Sequence, residues 1–144
     1  MSAQSPLLPI QKAMYTALTG DGALTAMTTG VYDYVPEDAV YPYIVIGEAT
    51  EIPRNSHDRF GWETVPTLHV WDKYRGYSRV LRIGSRIGEV LDHQALIVPG
   101  YDVVQVKFEF SQTLTDPEPP GDIRHLVLRH RIVTEQPPAA GKPL

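Results

Sequence analysis

Ser78-Arg79-Val80-Leu81-Arg82-Ile83-Gly84-Ser85-Arg86-Ile87-Gly88-Glu89-Val90-Leu91 decides the fold class, because its period differs from that of the segments on either side. Val80, Ile83, Gly84, Ile87, Val90 and Leu91 fall on one face of an α-helix. Ser78 is the expected N-cap and Asp92-His93-Gln94 the expected stop. Upstream, Tyr43-Ile44-Val45-Ile46-Gly47-Glu48-Ala49 and Trp62 to Trp71 read as two strands of a hairpin. Pro66 lies inside the second of these, so that strand is expected either at a sheet edge or beside a bulge. Downstream, Val104, Val106, Phe108 and Phe110 alternate with Gln105, Lys107 and Glu109 as a half-buried strand. Pro117 to Gly121 supplies a turn, and Ile123 to Val133 the return strand.

Towards the start of the chain, Leu7, Ile10, Met14, Ala17 and Leu18 make an amphipathic helix, with Ser5 and Pro6 as cap and first turn. It should stop near Thr19-Gly20-Asp21-Gly22, and Asp21 can cap one further turn over Ala23 to Met27. Val31 to Val35 reads as a short strand ended by Pro36. The order predicts an α+β fold: one domain over residues 1–134, an antiparallel sheet with two helices on one face. Residues 135–144 contain three prolines without periodicity and are expected to be a flexible tail.

Composition narrows the function. With 144 residues the chain can bury roughly two-thirds of its unfolded surface in one core. The absence of cysteine excludes disulfides, iron–sulfur clusters and thiolate metal sites. A net charge of −4 argues against general nucleic-acid binding, which rests on many cations facing phosphate. The first residues carry no charged start followed by an apolar stretch, so no signal peptide is expected, and no apolar run approaches the roughly 18 residues that span a bilayer.

The histidines offer no ligand cluster: His57, His69 and His93 stand apart, and His125 and His130 lie five apart on a strand and face opposite ways. Surface or structural roles suit them better than metal ligation. None of Ser56, Ser78, Ser85 and Ser111 sits in a nucleophile elbow, and Gly20-Asp21-Gly22 lacks the lysine of a phosphate loop. The residues therefore give no reason to expect catalysis, a cofactor or a metal.

Two features stand out. Arg75, Arg79, Arg82 and Arg86 are spaced four, three and four apart, forming a stripe suited to carboxylates on a partner subunit or to phosphate, or else simply solvated. The Glu51 to Trp62 segment is long for a hairpin tip and mixes Arg54, Asp58 and Arg59 with Phe60 and Trp62, a composition that fits an interface or a mobile loop with Trp62 in the core.

A series of segments now resembles a known family: Leu8 to Leu18, Val31-Tyr32-Asp33-Tyr34-Val35-Pro36, Tyr41-Pro42-Tyr43-Ile44-Val45-Ile46-Gly47-Glu48, Leu68-His69-Val70-Trp71, Ile83 to Leu91, and Leu126-Val127-Leu128-Arg129-His130-Arg131. In this order they resemble the phage tail completion family of siphophages, prophages and gene transfer agents. The resemblance implies a non-enzymatic virion subunit, made in the host cytoplasm, that forms a ring, usually a hexamer, at the head–tail junction. It implies as partners other copies of the chain, the tail tube protein and a head-side connector or adaptor, with DNA passing through the ring. A head completion or connector protein is the nearest alternative, and a small ligand-binding or hydrolase domain the alternative from another class.

Overall fold

The computed structural model describes residues 2–138. In chain order its elements are α1 (Leu7–Thr19), α2 (Gly22–Met27), β1 (Val31–Tyr32), β2 (Tyr43–Pro53), β3 (Gly61–Lys73), α3 (Ser78–Leu91), β4 (Asp102–Thr115) and β5 (Ile123–Glu135). The strands form one sheet in the order β1-β2-β3-β5-β4. Every pairing is antiparallel except the short one between β1 and β2. The α+β class read from the sequence holds, with the one-turn segment at Gly22–Met27 adding a third helix to the two expected. Burial of one helix stripe against one sheet face explains the arrangement. Met14 and Leu18 of α1, Leu24 of α2, and Val80, Ile83 and Ile87 of α3 join Ile44, Leu68, Val70, Leu126 and Ile132 of the sheet in one core.

Several local expectations are corrected. Ser78 does not cap α3: the N-cap is Tyr77, without a side-chain bond, and Ser78 is the first helical residue. Pro6, not Ser5, stands at the N-cap of α1, while the Ser5 hydroxyl still accepts from the Leu7 N–H at 3.3 Å. Asp21 does cap α2, accepting from the Leu24 N–H at 3.1 Å. The first strand covers Val31–Tyr32 alone.

Pro66 is not on an edge strand, because β3 lies between β2 and β5. The sheet accommodates it by an irregularity: the β2–β3 register shifts between Ile46 and Ala49, next to the Ala49↔Pro66 pair. The alternation of Val104, Val106, Phe108 and Phe110 implies a half-buried strand, but of these four residues only Val106 is buried. As an edge strand β4 has one neighbour, and a register shift between Phe108 and Phe110 breaks the alternation. The last strand runs to Glu135, and Gln136 is buried, its side chain accepting from Gln4 N–H and donating to the Ser2 carbonyl. Of the expected tail, residues 139–144 lie outside the described residues.

Candidate assembly interface

The hairpin tip is shorter than the sequence implies, because β2 continues to Pro53 and β3 begins at Gly61. The chain between them closes on itself: Arg54 N–H donates to the Gly61 carbonyl at 2.7 Å and Ser56 N–H to the Arg59 carbonyl at 3.0 Å. The Asn55 side-chain oxygen accepts from Gly61 N–H at 3.1 Å. Gly61 is required there, since a Cβ would stand 2.3 Å from the Arg54 carbonyl oxygen. Trp62 is buried and meets Tyr101 edge to face.

Arg59 does not point to solvent. Its Nε donates to the Gln136 carbonyl at 3.0 Å, its Nη2 pairs with the Asp102 carboxylate, and Glu135 stands at 3.9 Å. The bond from Asp102 raises the pKa of the guanidinium above its ordinary value. Phe60 is half-buried and its carbonyl accepts from Gln136 N–H at 2.7 Å. These contacts fasten the tip to the start of β4 and the end of β5. Arg54 and Asp58 remain exposed, Arg54 with Glu63 at a loose 3.9 Å.

The arginine stripe on α3 divides in the same way. Arg79 reaches the buried Asp72 carboxylate of β3, with Nε 2.8 Å from Oδ2 and Nη2 donating to Oδ1 at 2.9 Å. Arg86 grips Asp21 with Nε at 2.9 Å and Nη2 at 2.6 Å, and also meets Glu89 at 2.7 Å. Arg75 and Arg82 are exposed and have no carboxylate within ion-pair distance among the described residues. Two arginines therefore serve the fold, and two stand exposed without an ion-pair partner among the described residues. No spacing in the chain signals this split, because Asp21 and Asp72 are near α3 only in space.

Sequence reading also missed a cluster on the sheet face away from the helices. His69, expected to stand alone, has its Nδ1 2.7 Å from Nε2 of His125, and Glu48 lies 3.3 Å from its other nitrogen. The Trp71 ring stacks on His125 with centroids 3.8 Å apart. Burial, with His69 adding to it, pushes the His125 pKa down to about 4. The register Val45↔His69 and Trp71↔His125 places these side chains on one face. They form a row, not a ring around a point, and no group of three or more metal-ligating side chains converges among the described residues. His130 points the opposite way into the core, as its spacing from His125 requires.

Comparison with known proteins gives these surfaces a context. Residues 12–135 match the family model of the tail completion protein gp17. The tail completion protein gp17 of Bacillus phage SPP1 is 30% identical over 125 residues, covering 85% of this chain and 90% of that protein. The solved structure of the bacteriophage SPP1 gp17 protein is 27% identical, with TM-score 0.56, and the match covers 85% of this chain and 86% of that one. A chain in the virion of a native gene transfer agent particle shares the fold at 20% identity, with TM-score 0.79 over 92% of this chain and 99% of that one. A family match over nearly the whole sheet-and-helix domain leaves no second architecture to explain, and the chain belongs to the gp17 family of tail completion proteins.

Proposed function

We propose that the chain is a structural subunit of a phage-like virion that closes the end of a tail tube as a ring of six copies and joins it to a head-side connector. The observation that carries this reading is the family match across residues 12–135. It is supported by a surface that fits contact with proteins better than turnover of a small molecule. Arg54, Asp58, Arg75 and Arg82 point outward, while Arg59, Phe60, Arg79 and Arg86 hold the same two surfaces in shape. Bidentate guanidinium groups suit carboxylates on a neighbouring subunit or on the tube protein. The role asks for no catalytic residue and no cofactor. DNA in the channel would pass without base-specific contact, in keeping with the acidic total of −4.

The test is the mass of the purified protein by light scattering, followed by negative-stain imaging with and without isolated tail tubes. The expected result is a ring, or a cap on one end of each tube. A protein that ignores tubes but binds a portal or adaptor would replace the terminal role with a connector role.

A further inference from the structure

On the sheet face away from the helices, a bulge in β2 sets up a row of ionisable side chains. Ile46 pairs with Leu68 and Ala49 with Pro66, so Gly47 and Glu48 both stand opposite the single residue Thr67. A bulge of this kind re-aims a side chain. In regular alternation Glu48 would follow Ile44 and Ile46 to the helix side. The bulge turns it to His69 instead, with each carboxylate oxygen 3.3 Å from Nε2. Gly47 makes room for the ring, since a Cβ there would stand 2.7 Å from Nε2 and 2.8 Å from Cδ2 of His69.

On its other side His69 meets His125, with Nδ1 2.7 Å from Nε2. The ring centroids are 4.9 Å apart, a separation reached only when the two nitrogens lie in line between the ring centres. The nitrogens therefore face each other edge to edge, and one proton fits between them. His69 Nε2–H donates to Glu48, so its Nδ1 accepts, and His125 Nε2–H donates to it. Trp71 lies flat on the His125 ring, with centroids 3.8 Å and planes 10° apart.

This arrangement has room for one more proton. His69 can become an imidazolium between Glu48 and His125, provided that His125 accepts through Nε2 and carries its own proton on Nδ1. Glu48 stays ionised for this, its pKa lowered by its own backbone N–H and by His69. A second proton would set N–H against N–H at 2.7 Å and two cations side by side, so the rings must part. Each then keeps a partner: Glu48 for His69, and for His125 the face of Trp71, which attracts a cation. Burial, with His69 adding to it, pushes the His125 pKa down to about 4, the direction expected of the ring that takes the second proton.

The other titratable or charged side chains on this part of the face, among the described residues, are Tyr32, Tyr43, Lys73 and Arg129. Opposite His125 and Val127, β4 presents Leu114 and Gln112, which carry no charge. Tyrosine, lysine and arginine ordinarily hold one charge state through the acid range. The proton count on this face is therefore set by Glu48 and the two histidines.

We infer that Glu48, His69 and His125 form an acid-operated clasp across β2, β3 and β5, which tightens on its first extra proton and opens on its second. All three groups belong to one copy of the chain, so the clasp does not depend on the ring reading. It passes from one negative charge, on Glu48, through neutrality to one positive charge.

The test is a series of two-bond ¹H–¹⁵N spectra of the full chain, labelled with ¹⁵N, from about pH 8 to about pH 3. His69→Gln and His125→Gln assign the two rings among the five histidines. Three states are expected in order: both rings protonated on Nε2, then a His69 imidazolium with His125 switched to its Nδ1 tautomer, then two imidazoliums. The two steps should be separated by about one pH unit or more. In His69→Gln, His125 should titrate about one unit higher, because the neighbouring charge is gone. Glu48→Gln should move the first step to lower pH. Rings that titrate independently, with His125 on Nε2 until it becomes an imidazolium, would overturn the inference. So would a His125 titration unchanged in His69→Gln. Loss of the folded amide spectrum before the second step would mean that the fold opens and not the clasp, and would overturn it too.

Discussion

Arg86 of α3 holds Asp21, the N-cap of α2, through two nitrogens at 2.9 and 2.6 Å, joining residues 65 apart in the chain. The same carboxylate accepts from Leu24 N–H, so one acid orients a helix start and anchors it to the central helix. The Arg86 bond holds the Asp21 pKa down to about 2. A carboxylate whose pKa falls on folding stabilises the native state above its ordinary pKa, near 4, and loses that contribution as pH drops towards 2. Asp21→Asn, which keeps a cap acceptor without charge, should weaken this acid limb, and Asp21→Ala should be less stable than either. Denaturant midpoints between pH 7 and pH 2 check the order.

Arg79 and Arg82 are neighbours on the stripe with different work. Removing Arg79 leaves Asp72 as a buried charge without its guanidinium, so Arg79→Ala should cost about 3 kcal/mol of stability. Arg82→Glu together with Arg75→Glu changes only exposed charges and should alter stability by less than about 0.5 kcal/mol. If the stripe meets acidic partners, this double reversal lowers the yield of completed particles while the folded monomer persists. Urea melts and particle counts on the same variants separate the two effects.

Gly61→Ala tests the closure of the hairpin tip. The added methyl would sit 2.3 Å from the Arg54 carbonyl, and backbone cannot rotate away as a side chain can. A loss of about 1–3 kcal/mol is expected. Amide exchange should rise at Arg54 and Gly61, whose hydrogen bonds hold the tip.

The buried His130 and the half-buried His125 predict a second pH effect at milder acidity. Burial lowers the pKa of His130, and burial with His69 nearby lowers that of His125 to about 4. The unfolded chain then binds protons near pH 6.5 that the folded chain refuses. Their contribution is complete above that pH and is lost as pH falls towards 4. Denaturant midpoints should fall between pH 7.5 and 5, and His125→Gln should flatten the slope.

His130 also has no hydrogen-bond partner for either ring nitrogen among the described residues, although it is buried. His130→Leu removes two unpaired polar atoms from the core and should raise stability by about 1 kcal/mol at pH 7. Thermal melts of the two proteins side by side decide it.

The order of residues along the chain specifies the elements and their kinds. The 3.6-residue stripe of α3, the strand runs at Tyr43 and Trp62, the turn before Ile123 and the Asp21 cap are local properties, set by side-chain period and by hydrogen bonds a few residues long. It also marked the 51–62 segment and the arginine stripe as candidate surfaces. Which of their residues serve the fold is settled by packing between distant segments. Arg59 finds Asp102, Arg79 finds Asp72 and Arg86 finds Asp21 through strand order and helix docking, and no spacing in the chain encodes those meetings. The apolar alternation of β4 is likewise the pattern of a covered strand, yet strand order places it at an edge with one neighbour. A period states which residues share a face; whether anything covers that face depends on which other segments arrive beside it.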